Sequence, residues 1–145
     1  MARFEFPVLL THADEGGFIV SCRDIPEVIT QGEDAQDALN QAADAMEEAF
    51  AARIAGGLDI PHPSKARRNE KTVAPPIEIV IKAALYVTMK EAGVSKVELA
   101  RRMGVDEKSI RRMLDPHYVS KLPGITDAIS KLGMKLRIDI TQNHC

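Results

Sequence analysis

Between Asp34 and Gly57 the apolar residues recur every three or four positions, at Ala35, Ala38, Leu39, Ala42, Met46, Ala49 and Phe50, and most of them are alanine. That period places them on one stripe of a helix. A stripe of alanine has little volume of its own, so the helix must lie close on its partner, and a sheet is the surface that suits it. Asp34 reads as the N-cap and Gly56-Gly57 as the stop. Asp37, Asn40, Gln41, Asp44, Glu47 and Glu48 fall mostly off the stripe.

The residues before this helix supply the sheet. Arg3 to Leu10 begin with apolar alternation and read as a strand. Pro7 lacks an amide proton, which places the strand at an edge or gives it a bulge. His12 to Gly17 read as a turn, with two glycines for positive φ. Phe18 to Cys22 read as a second strand, pairing back as a hairpin. Asp24-Ile25-Pro26 breaks it, and Glu27 to Gln31 form a short third strand ended by Gly32. The expectation is a three-stranded meander followed by a helix. Residues 1–60 make this unit. Residues 61–76 hold Pro61, Pro63, Pro75 and Pro76 among basic side chains and read as a linker, with Thr72-Val73-Ala74 as a candidate last strand.

Residues 77–145 change character. Ile77 to Ala92 is helical in period and closed by Gly93. Ser95-Lys96-Val97-Glu98 has the form of a capping box. Two short helices, Lys96 to Met103 and a second from Asp106 to Leu114, flank Gly104-Val105. Leu122 to Leu132 is one more helix. Met134 to Ile140 alternates cleanly and reads as a terminal strand whose exposed edge invites a second subunit. Within Val97 to Leu114, Ala100 is small where two helices must cross. Gly104 tolerates left-handed geometry at the turn, and Ile110 pins the second helix. Their offsets of four and six are those of a helix-turn-helix. With Ile110, Met113 and Leu114 inward, Glu107, Lys108, Arg111 and Arg112 point outward and Ser109 lies at the border. Such a face suits a major groove, where arginine forks onto guanine and lysine or serine holds phosphate. Arg101, Arg102 and Lys121 flank the DNA backbone in this reading. Glu107 repels phosphate or accepts from cytosine. The plain alternative is a helical hairpin with a solvated charged face.

The net charge of −2 conceals a division. Residues 1–60 carry twelve acidic and three basic side chains, a net of −9, and residues 61–145 carry sixteen basic and nine acidic ones, a net of +7. Opposite signs suit opposite partners, phosphates for the basic part and a basic protein for the acidic part. Asp14, Glu15, Asp24 and Glu27 are the candidate contacts to that protein. The same four carboxylates would serve a Mg²⁺ nuclease, but turns and strand ends more often carry a solvated rim. No catalytic residue is assigned. His12, His62, His117 and His144 share no metal-ligand spacing with one another or with Cys22 and Cys145. No metal and no cofactor is expected. Two cysteines make no disulfide framework, and neither a signal peptide nor a membrane span is read, so a cytoplasmic protein is expected.

Several runs occur together in order: Phe6-Pro7-Val8, Asp14-Glu15-Gly16-Gly17-Phe18, Asp24-Ile25-Pro26-Glu27, Thr30-Gln31-Gly32 and Asp37-Ala38-Leu39 in the first part. Lys82-Ala83-Ala84-Leu85-Tyr86, Glu98 to Val105 and Leu132-Gly133 follow in the second. In these runs the chain resembles the HicB antitoxin family over nearly its full length. The resemblance implies a partial ribonuclease H-like first domain without nuclease activity. It implies a HicA-type mRNA-cleaving toxin as partner, repression of the toxin–antitoxin operon at near-palindromic operator DNA, and a homodimer or tetramer. Some family members carry a ribbon-helix-helix instead; here the helix-turn-helix comes from the residues. The expected fold class is α+β, a small antiparallel sheet plus helix followed by an all-helical domain with a terminal strand. A one-component transcriptional regulator whose α/β domain senses a small ligand is the alternative function.

Overall fold

The computed structural model describes residues 4–142, so Arg3, His144 and Cys145 lie outside the described residues. The chain forms β1 (Phe6–His12), β2 (Phe18–Ser21), β3 (Ile29–Gly32), α1 (Ala35–Gly56), β4 (Lys71–Val73), α2 (Ile77–Ala92), α3 (Lys96–Met103), α4 (Glu107–Leu114) and α5 (Leu122–Lys131). It is an α+β protein with one antiparallel sheet. It divides into two compact units, residues 1–80 and 81–145, with the boundary in the first turns of α2.

In the first unit the sheet order is β3-β2-β1-β4, a meander with β4 added beside β1. Leu10 pairs with Val20 and Val20 with Thr30, which puts these side chains on one face. With Phe6, Val8 and Val73, that face meets α1. The alanine stripe behaves as its composition requires: Ala38, Ala42, Met46, Ala49 and Phe50 are buried, while Ala35 stays exposed at the first turn. The close approach is visible at Gly32, where a Cβ would overlap the backbone of Ala38. Asp34 caps α1 by accepting from the Asp37 N–H at 2.8 Å, and Gly57 ends it in the left-handed region at φ 69°.

Pro7 does not mark an outer strand, since β1 lies inside the sheet order. The reason is register. β2 pairs only with Leu9 to His12, and β4 pairs with Phe6 to Val8. Around Pro7 the strand therefore has one neighbour, and its missing amide proton breaks no second ladder.

Residues 59–70 are fastened to the first unit by three polar clamps. Arg53 donates to the Glu27 carboxylate at 2.7 Å and to the Asp59 carbonyl at 2.9 Å. Asp24 accepts from the Ser64 backbone N–H at 2.7 Å and from its hydroxyl at 2.6 Å. Arg23 forks onto Glu70 at 3.0 Å and donates to the Lys65 carbonyl at 2.8 Å. Bidentate arginine pairs fix geometry as well as charge.

In the second unit α3 packs on α4 and α5, and Leu99, Ala100, Ile110, Leu114, Ile125, Ala128 and Ile129 are buried. Ala100 and Ile110 are inside, as the spacing requires. Gly104 adopts φ 69°, and its N–H reaches the carbonyls of Ala100 and Arg101. Half of the capping box forms: Ser95 accepts from the Glu98 N–H at 3.1 Å, but the Glu98 carboxylate is taken by Arg101 and Arg102. The terminal strand expected at Met134 to Ile140 is absent. Alternation makes a segment fit for pairing, but a strand exists only with a neighbour, and among the described residues this one has none.

Candidate functional site

The basic site is built on α4. Ile110 and Leu114 hold one side of the helix in the core. Helical geometry then sends Lys108, Arg111 and Arg112 to the opposite side, and all three are exposed. Asp106 secures the start of the helix, accepting from the Ser109 N–H at 2.9 Å and from its hydroxyl at 2.8 Å. These bonds hold the Asp106 carboxyl below its ordinary value. The Ser109 hydroxyl proton is therefore committed within the protein.

The other charges are partly neutralised. Arg111 lies 3.6 Å from Glu107 one turn earlier, an exposed pair worth a few tenths of a kcal/mol, about 0.3–0.5. Arg112 stands over the Tyr118 ring at 5.4 Å, which stiffens its guanidinium without cancelling its charge. Arg101 and Arg102 share Glu98, and Arg102 also donates to the Lys131 carbonyl at 3.4 Å. Lys121 is exposed at the start of α5, and its neighbour Ser120 bonds to the Arg112 carbonyl at 3.3 Å. The start of α5 is thus tied to the end of α4.

Lys82 is the residue that sequence reasoning missed. Its ammonium is buried and donates to the carbonyls of Arg112 at 3.1 Å and Met113 at 3.0 Å, and to the Ser120 hydroxyl at 2.9 Å. Those carbonyls belong to the last turn of α4, where the Arg112 carbonyl also accepts from the Asp115 N–H at 3.2 Å and few other backbone donors remain. A cation there also complements the negative end of the helix dipole. Burial pushes its pKa down, opposed by Asp115. The available signal was position: Lys82 falls on the apolar stripe that holds Ile79, Ala83 and Tyr86.

Two guanidiniums on one carboxylate hold Glu98 down to about 2, against an ordinary value of 4.5. A depressed acid contributes stability above its unfolded value and loses it as pH falls through the folded one. Acid titration followed by tyrosine fluorescence should therefore show α3 weakening from about pH 4.5 towards 2. Glu98→Gln should flatten that limb. Both tyrosines, Tyr86 and Tyr118, lie in the second unit, and the chain has no Trp, so the signal is specific.

On the first unit the four carboxylates separate into two pairs. Asp24 and Glu27 are spent on the clamps, and Arg53 holds the Glu27 carboxyl below its ordinary range. Asp14 and Glu15 both lie exposed in the β1–β2 turn. The structure does not bring the four together. On the sheet face away from α1, Ile19 (41% exposed) and Ile29 (71% exposed) are uncovered apolar side chains. Among the described residues no group of three or more His, Cys, Asp or Glu is placed to hold a metal. No helix among them is long and apolar enough to cross a membrane.

The fold and site together define a two-unit α+β protein, with an acidic sheet-and-helix unit followed by a helical unit that presents a basic face. The family model described as HicB_like antitoxin of bacterial toxin-antitoxin system matches residues 5–84. The chain is similar to Antitoxin HicB of Escherichia coli (strain K12), 34% identical over 133 residues, which covers 92% of this chain and 96% of the relative. It is similar to Antitoxin HicB 2 of Photorhabdus laumondii, 35% identical over 133 residues, covering 92% and 94%. It is also similar to Antitoxin HicB of Pseudomonas fluorescens (strain Pf0-1), 33% identical over 138 residues, covering 94% of each. The chain belongs to the HicB-like antitoxin family of bacterial toxin–antitoxin systems. Membership gives it an antitoxin role and implies a toxin partner.

Proposed function

We propose that the first unit binds and neutralises a HicA-type mRNA-cleaving toxin, and that the second unit represses the operon by binding operator DNA. In this reading α3, the Gly104 turn and α4 are a helix-turn-helix, and α4 enters the major groove. The observation that carries it is the exposed row Lys108, Arg111 and Arg112 on a helix whose other side is fixed by Ile110 and Leu114. Arg111 forks onto a base, Arg112 and Lys108 hold the groove edges, and Arg101, Arg102 and Lys121 lie towards phosphate. Two copies would set recognition helices about 34–36 Å apart on a near-palindrome. Operator DNA and mRNA place both activities in the cytoplasm.

On the toxin side the acid that remains after the clamps is Asp14, Glu15 and the outer carboxylates of α1. Charge of that sign speeds encounter with a basic protein, while apolar contact sets the off-rate. Co-expression of the small reading frame beside this gene tests it: growth arrest by that frame should be relieved by the chain, and persistent arrest removes the neutralising role.

Operator binding measured against salt tests the second unit. Arg111→Ala should lose about 1–3 kcal/mol and relax base choice, while Lys121→Ala should weaken all sequences alike. Unchanged affinity and selectivity in the Arg111 variant would remove α4 from the groove.

A further inference from the structure

Arg112 stands apart from every other arginine of the second unit. Arg101 and Arg102 pair with Glu98, Arg111 with Glu107 and Arg137 with Asp139, but among the described residues no carboxylate pairs with Arg112. At about 100° per residue it lies opposite the midpoint of Ile110 and Leu114, so it points most directly away from the core. Its guanidinium lies over Tyr118, 5.4 Å from the ring centroid. The ring, 44% exposed, is brought there by the loop between α4 and α5. Asp115 and Pro116 open a turn that the Tyr118 N–H closes on the Asp115 carbonyl at 3.1 Å, and the Asp115 side chain accepts from the His117 N–H at 2.9 Å. Both ends of the loop return to the backbone of Arg112 itself. Its carbonyl accepts from the Asp115 N–H at 3.2 Å and from the Ser120 hydroxyl at 3.3 Å. Ring and cation are therefore mounted on one braced segment.

We propose that Tyr118 is a positioning residue for operator binding: its ring restrains the Arg112 guanidinium before the nucleic acid arrives. The inference rests on the reading of α4 as the helix that enters the groove. An exposed arginine is rich in rotamers, and freezing it on binding costs free energy. A ring that already restrains the side chain removes part of that cost. The π face attracts the cation without cancelling its charge, and a guanidinium with five N–H donors keeps donors for phosphate or guanine. A carboxylate in the same place would restrain Arg112 as well, but it would compete for those donors. The one unpaired arginine of the unit is thus also the one held by an aromatic face.

The test is the affinity of the full chain for a duplex carrying the region upstream of its operon. Tyr118→Leu should weaken binding about two- to fivefold, the worth of an exposed cation–π contact. Tyr118→Phe keeps the ring and should bind as the parent chain does. In an Arg112→Ala background, Tyr118→Leu should cost nothing further. No charge is lost in Tyr118→Leu, so the slope of affinity against salt should stay while the affinity falls. Relaxation of the Arg112 Nε–H in the free chain should show the side chain released by Tyr118→Leu and restrained in Tyr118→Phe. Circular dichroism and Tyr86 fluorescence should show each variant folded. A loss in Tyr118→Phe equal to that in Tyr118→Leu assigns the effect to the hydroxyl, and a loss that adds to that of Arg112→Ala gives Tyr118 a contact of its own. Either overturns the positioning role while leaving α4 in the groove, as does a Tyr118→Leu chain that binds unchanged where Arg112→Ala does not. If Arg111→Ala and Arg112→Ala both bind unchanged, the reading of α4 fails and this inference fails with it.

Discussion

Phe50→Ala should cost the first unit about 3–5 kcal/mol, the usual loss for deleting a buried aromatic ring. Phe50 is fully buried on α1. Its ring meets Phe6 edge-on at 5.5 Å between centroids and Phe4 at 6.3 Å. Little can collapse into the space it leaves, because the neighbours on α1 are alanines and the strand below carries the Pro7 constraint. A unit of this size has a total stability at the low end of about 5–15 kcal/mol, so the substitution removes a large share of it. Hydrogen exchange of β1, β2 and β3 amides should rise together, while tyrosine fluorescence, which reports only the second unit, should not move. Retention of full protection in β1 would show that Phe50 does not hold the sheet to the helix.

Lys82→Met should cost the second unit about 2–4 kcal/mol, by leaving the last carbonyls of α4 and the Ser120 hydroxyl without their buried donor. Methionine keeps the length and apolar stem of lysine, so the loss measures the ammonium. Urea unfolding followed by tyrosine fluorescence reads it directly. Operator binding should weaken as well, though Lys82 is buried and touches no ligand, because the end of α4 would no longer be anchored. The Lys82→Arg variant should not rescue, since a guanidinium is larger than the site that three short bonds define. If Lys82→Met left both stability and binding unchanged, the anchoring role would be wrong.

These two residues mark where the sequence is readable and where it is not. Helix ends are local chemistry, and Asp34, Ser95, Asp106, Gly57 and Gly104 act where their types predict. The burial of Ala100 and Ile110 also follows from spacing alone. Long-range pairing does not. Glu27 and Arg53 are 26 residues apart, and Arg23 and Glu70 are 47 apart. No periodicity reveals that such groups meet, so the bonds that Asp24 and Glu27 make within the fold are not legible in the sequence. The run at Met134 to Ile140 fails for a different reason. Its pattern is that of a strand, but pattern records one side of a ladder and not the presence of the other. Lys82 was hidden because a basic residue in a helix reads as surface until its stripe is traced.

The clamps at Arg23 and Arg53 reshape how the first unit looks from a distance. They cancel carboxylates at the β2–β3 end and leave those of the β1–β2 turn and the outer side of α1 uncompensated. Its electric field is therefore lopsided rather than uniformly negative. A field of that shape has a direction as well as a sign, and so turns a charged body as well as attracting it.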